Sequence, residues 1–236
     1  MTPGSFLRPN PIALIAILLC LGLLLGAVIP LHRTGQIGRS IPIEEGSWLL
    51  LPPAALRVAS FGFHNVAADI VWLLTIQYIG SHIFTDRKLP ELFRMVDTVV
   101  TLDPHFVEAY TLGALFMNYS GGNVPGAIAL LERGAEANPT RWEPPYDLAR
   151  TYYLDLKDYQ KALHWFEVTD KLPGRPHYVP RFIARLYAAT GHKDTALELW
   201  RAMRDSATSD WVREIAEREI SKLESEGQSP SERGAR

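Results

Sequence analysis

The sequence predicts an all-α protein: an N-terminal transmembrane helix, then a solenoid of helical hairpins closed by a C-terminal capping helix. Three observations predict it. Ile12 to Ile29 are 18 consecutive residues without a charge or a strongly polar side chain. Pro104, Pro139 and Pro173 follow one another at 35 and 34 residues, and Ala127, Ala162 and Ala196 keep the same two intervals. A charge-rich stretch then follows Asp210. The chain has 236 residues, 47% of them hydrophobic and 21% charged, with a formal net charge of −2. That balance fits a folded chain and gives no electrostatic reason to expect nucleic acid as a partner.

At 1.5 Å rise per residue, the apolar run forms a helix about 27 Å long, enough to cross a hydrocarbon core. Residues 1–11 are read as a head, 12–31 as the anchor and 32–52 as a linker. A cleaved signal and a lipoprotein signal are the alternatives. Each fits less well, because Leu25 and Leu19 stand where small residues are wanted near Ala27 and Cys20. Arg8 precedes the run while Arg33 and Arg39 follow it, so the charge rule for orientation is nearly balanced. A short head and a soluble part without cysteine favour an extracytoplasmic placement of that soluble part. Gly22 and Gly26 form a G-x-x-x-G pair, a face through which two copies could dimerise.

Residues 53–206 read as the solenoid. Pro52-Pro53 open a short helix through about Ser60, and Gly62 marks the turn after it. A long helix from His64 to about His82 is expected to be buried on more than one side. Asp69 interrupts its hydrophobicity and argues against a second membrane span. Further on, Leu131, Phe166 and Trp200 keep the 35- and 34-residue intervals. Each unit reads as two amphipathic helices, the second carrying a small residue and then a bulky one four positions later. The small residue admits a neighbouring helix and the bulky one fills the gap. No such unit buries its apolar face alone, so the stack is cooperative.

These residues resemble the tetratricopeptide repeat (TPR) family. The resemblance rests on Leu112-Gly113, Phe116, Ala127, Leu131 and Pro139 in one unit, on Tyr146, Tyr153, Ala162 and Phe166 in the next, and on Tyr187, Gly191, Ala196 and Trp200 in a third. A divergent earlier unit pairs the helix of Ala67–His82 with Leu89–Leu102, making about four units over residues 64–206. Arg150 replaces the usual glycine of the pattern, and Gly174 its proline, which unsettles loop geometry locally. The whole chain also looks like bacterial inner-membrane proteins carrying a short repeat array behind one anchor. In this family the first helices of successive units line a concave groove that holds peptide segments of other proteins. Carried over position by position, the resemblance points to Tyr110, Met117, Asn118, Asp147, Thr151, Asp155, Tyr178, Arg181 and Arg185. Arg181 and Arg185 are i,i+4 neighbours that can meet an acidic segment. Pairing of that row with Asp147, Thr151 and Asp155 across the groove is the alternative.

Asp210 is expected to cap a last helix within residues 207–224, and 225–236 read as a polar tail. No two of the seven histidines stand three or four residues apart, and no nucleophile or phosphate-binding motif occurs. No cofactor or metal is therefore expected. Asp69 is expected to be a buried polar tie to Arg57 or a backbone donor, sharing a helix face with Asn65; a binding role is its alternative. The functional expectation is a non-catalytic scaffold in the bacterial inner membrane that recruits another envelope protein in a secretion, pilus or transport assembly. Two rivals stand beside it. One is self-assembly through Gly22 and Gly26, and the other an enzyme subunit centred on Asp69, His64 and His105.

Overall fold

The computed structural model describes residues 52–86, 88–119 and 123–227; the anchor and the Gly22/Gly26 face lie outside them. The described residues all fall in one unit, Trp48–Arg236. They form ten α-helices and no strand. In order these are α1 (Pro53–Ala59), α2 (His64–Ile83), α3 (Leu92–Leu102), α4 (Val107–Tyr119) and α5 (Val124–Ala137), then α6 (Glu143–Thr151), α7 (Tyr159–Asp170), α8 (Val179–Ala189), α9 (Lys193–Asp205) and α10 (Asp210–Gly227). Consecutive helices pack against each other from α2 onward, so the chain is a row of helical hairpins: α2–α3, α4–α5, α6–α7, α8–α9, then α10.

Local sequence sets the helix ends. The Asn123 side chain accepts from the Gly126 N–H at 3.1 Å, and Asp158 accepts from the Lys161 N–H at 3.1 Å, each satisfying a free donor of the first turn. The expected cap at Asp210 is displaced by one residue. Ser209 Oγ accepts from the Val212 N–H, which leaves the Asp210 carboxylate to pair with Arg213 at 2.8 Å. A five-residue π segment, Tyr152–Leu156, continues α6 and is stopped by Lys157 in the left-handed region at φ 56°. The Asp158 N–H then closes back on the Tyr152 carbonyl at 3.0 Å, a seven-residue closure one residue wider than the common helix-end motif. This wide last turn lies in the unit where Arg150 replaces glycine.

The small-and-bulky pairs of the second helices are buried throughout. Ala127, Ala162 and Ala196 are fully buried, as are Leu131, Phe166 and Trp200 within 1%. Two glycines bring helices closer still. A Cβ on Gly134 of α5 would stand 2.8 Å from Cγ of the buried Tyr110 ring on α4. A Cβ on Gly113 of α4 would stand 2.8 Å from Val96 Cγ1 on α3.

Helix α2 departs from expectation. Its inner side is buried at Ala68, Val71, Thr75, Tyr78 and Ile79, but Val66, Ile70, Leu73 and Ile76 are exposed by 40–65%. It is long and apolar enough, by length and composition alone, to cross a membrane. Asp69 is exposed on that outer side and is not the buried tie that its apolar neighbours suggest. The Arg57 guanidinium donates instead to the Thr101 carbonyl at 3.3 Å, which ties α1 to the end of α3. Asn65 is exposed as well.

Replacing Gly134 with Ala sets a helix-propensity gain of about 1 kcal/mol against an overpacking cost of about 1–3 kcal/mol. Gly134→Ala is therefore expected to lower stability by up to about 2 kcal/mol. Gly80→Ala, where a Cβ meets nothing within 4 Å, should raise it by up to about 1 kcal/mol. Urea unfolding midpoints of the detergent-solubilised chain give both signs, and two shifts in the same direction would contradict the packing argument.

Candidate functional site

The first helices of the hairpins lie side by side through their side chains. Trp72 of α2 packs on Phe106 beside the start of α4, with ring centroids 5.5 Å apart. On α4, Asn118 Nδ2 donates to Thr151 Oγ1 of α6 at 3.1 Å and to Asp155 Oδ2 at 3.3 Å. Tyr146 of α6 and Tyr178, which precedes α8, are 6.2 Å apart edge to face. Arg181 of α8 lies over the Trp211 ring of α10 at 4.9 Å. Asn118, Asp155, Asp147, Tyr178 and Arg181 together form a strip of partly exposed side chains along these helices.

Three expected groove residues are not on that surface. Tyr110 is fully buried because its ring fills the space over Gly134 and its hydroxyl donates to the Pro104 carbonyl at 3.2 Å. Met117 and Thr151 are 3% and 2% exposed; Met117 packs inward and the Thr151 hydroxyl is taken by Asn118. The two rows do not pair with each other. Asp147 meets Arg150 on its own helix at 3.1 Å, while Arg185 donates through Nε and Nη2 to Glu219 Oε1 on α10 at 3.0 and 2.9 Å. Arg181 meets rings alone among the described residues, Trp211 at 4.9 Å and Tyr178 at 5.9 Å.

Electrostatics distinguish two places in the strip. Burial pushes the Asp147 carboxyl up to about 6, and it outweighs the opposing pull of Arg150 although that guanidinium is in contact. Burial, with the charge of neighbouring Arg185, pushes the Arg181 guanidinium below its usual value. The Asn118 Oδ1 atom is buried with no hydrogen-bond partner among the described residues. Past Arg185, a shallow cavity of about 330 Å³ opens between α8, α9 and α10, lined by Trp200, Glu219 and Lys222.

Trp211 and Glu219 belong to this surface and were not anticipated from the sequence. Glu219 carried a usable signal, since it stands 34 residues after Arg185, one repeat interval. Trp211 carried a weaker one, an aromatic side chain at the head of a charge-rich helix. The rival centre resolves into separate local contacts. His64 Nδ1 is 2.6 Å from Ser60 Oγ, His105 Nδ1 is 3.1 Å from Asn138 Oδ1, and Asp69 is exposed. Among the described residues no group of three or more His, Cys, Asp or Glu side chains is placed to hold a metal ion.

No protein-family model and no curated protein matches the chain. Among solved structures it is similar to a crystal structure of MamA protein at 19% identity, over 63% of this chain and 77% of that one, with a TM-score of 0.45. A second crystal structure of MamA is similar at 18% identity, over 72% and 89%, with a TM-score of 0.47.

The Asp147 shift fixes a sign for stability. Its folded-state value lies above the unfolded one, so the folded protein binds the extra proton between about pH 4 and pH 6 and loses stability as pH rises through that window. Asp147→Asn should then be more stable than the natural chain by about 1–2 kcal/mol at pH 8, with the difference vanishing below about pH 4. Paired urea titrations at the two pH values measure it. A variant destabilised at pH 8 but not below pH 4 would show instead that the ion pair with Arg150 outweighs burial.

Proposed function

We propose that this chain is a non-catalytic, tetratricopeptide-like scaffold whose strip of first helices binds a segment of another protein. One observation carries the reading. Arg181 presents a guanidinium against two aromatic rings, with no carboxylate partner among the described residues, beside side chains that are already paired. An arginine so placed loses little further freedom on binding, and its donors suit a carboxylate side chain or chain end. Apolar surface is available on the same first helix as Asn118, where Leu112 and Leu115 of α4 are each 37% exposed. A partner segment with an acidic end and an apolar body matches both.

The setting belongs to the proposal too. The uncharged run Ile12–Ile29 has the length and composition of an anchor, and supports a single-pass protein of the bacterial inner membrane with the helical stack on its outer side. A scaffold held there would organise an envelope assembly such as a secretion, pilus or transport complex.

Crosslinking in intact cells, followed by purification from membranes, tests the groove through Arg181→Glu. Loss of one charge-assisted contact is worth about 1.5–3 kcal/mol, so capture of the companion protein should fall by about tenfold or more. The variant should stay folded, losing about 1 kcal/mol with the Trp211 and Tyr178 ring contacts, which the unfolding midpoint measures separately. Undiminished capture by the folded variant would remove the groove from the binding surface.

A further inference from the structure

We propose that the Phe61-Gly62-Phe63 turn, with Val58 and Val66 beside it, is a tip that docks on the surface of a lipid bilayer. The turn joins α1 to α2 and carries a cluster of strongly exposed apolar side chains; the far end of α2 exposes a further single ring, Phe84. Phe61 is 88% exposed, Val58 78%, Phe63 71% and Val66 54%. Two phenyl rings so far out of the core oppose the hydrophobic effect unless something apolar covers them.

Their display is built into the backbone. Phe61 has φ 47°, an outlying conformation for a bulky side chain, and Gly62 follows at φ 92°. The Phe63 N–H donates to the Ser60 carbonyl at 2.8 Å, and Ser60 Oγ bridges the Arg57 carbonyl at 2.7 Å and His64 Nδ1 at 2.6 Å. A Cβ on Gly62 would meet nothing within 4 Å, so the turn is open on its outer side. The hydrogen bonds hold the turn while leaving its rings outside.

The tip also stands clear of the groove. Trp72 meets Phe106, which immediately precedes α4, so residues 64–71 of α2 run beyond the start of its neighbouring first helix. Asp69, exposed about one turn past Val66, sets how far an apolar phase can rise along α2 before a charge would have to enter it. Ring insertion with the strip left in water satisfies both constraints.

A bilayer is the occupant that the rest of the chain favours, and this step rests on the anchoring reading above. Only residues 30–51 separate the uncharged run from Pro52 at the head of α1. A random coil of that many residues would span about 26 Å, a length that would keep the tip within reach of the surface the run enters. Trp48-Leu49-Leu50-Leu51 immediately before α1 adds residues that favour a membrane interface. A second copy of the chain fits less well, because four side chains at a turn fall far short of the roughly 800 Å² per partner that a stable dimer buries.

The test uses the full chain with Cys20→Ser, reconstituted in vesicles of phosphatidylcholine and phosphatidylglycerol. An environment-sensitive fluorophore is placed through Phe61→Cys, and in parallel through Phe63→Cys, with Ser206→Cys as a reference in water. The expected result is blue-shifted emission at 61 and 63, and loss of most of it to spin-labelled lipid, with neither at 206. Emission at 61 and 63 like that at 206 overturns the proposal. So does a blue shift without lipid quenching, which would mean cover by protein, whether residues 48–51 or a second copy. Alkaline carbonate extraction of the same vesicles reads the anchor separately. Retention without quenching at the tip sinks the tip alone. Extraction with quenching intact sinks the anchor reading and leaves the tip standing.

Discussion

The stack depends on how closely α4 and α5 approach, and that approach is set by a missing side chain. Tyr110 lies with its ring against the backbone of Gly134, in space that any Cβ there would occupy. Its hydroxyl reaches the Pro104 carbonyl, which also accepts from Asn138 Nδ2 at 3.0 Å. Asn138 in turn donates to the Gly134 carbonyl at 3.1 Å. Ring, glycine, asparagine and turn therefore fix one another, and buried polar groups in such a ring are fully satisfied rather than costly. The later hairpins carry Thr169 and Met203 at the position of Gly134, and fill their cores with Phe166 and Trp200 instead.

Polar ties between hairpins recur at about one repeat interval. Arg185 reaches Glu219 over 34 residues, Asn118 reaches Thr151 over 33, and Arg133 reaches Asp97 over 36. The Arg133 pair also gathers the Val100 carbonyl and the Thr101 hydroxyl, so it holds the end of α3 as well as a single carboxylate. A linear stack explains the regularity, because each unit touches only its neighbours and its ties must cross one unit boundary. These ties consume most of the charges along the strip. Arg181 stands apart because its neighbour across that boundary is a ring, Trp211.

The two ends of the described stack expose different chemistry. At α8 and α10 the surface is charged and largely self-paired, with a cation held on aromatic faces. At α1 and α2 it is apolar, and a conformation that bulky residues avoid places a phenyl ring in water. Both arrangements hold side chains in fixed positions at the surface.

How much of this was legible in the sequence depends on the range of the forces involved. Helix content, hairpin order and the buried small-and-bulky pairs depend on periodicity and side-chain volume, which repeat along the chain and can be counted. The groove was legible only as a set of helices. Tyr110, Met117 and Thr151 share those helices with Asn118 and Asp147, and only packing decides which side of each helix is covered. Asp69 shows the same limit. An apolar neighbourhood in sequence reads as burial, yet among the described residues nothing covers the outer side of α2, from Val66 to Ile76. The sequence alone determined that the chain builds helical hairpins at a 34–35-residue interval, because local spacing encodes it. Tertiary structure decided which side chains remain at the surface and which partners they meet, because burial depends on neighbours that are distant along the chain.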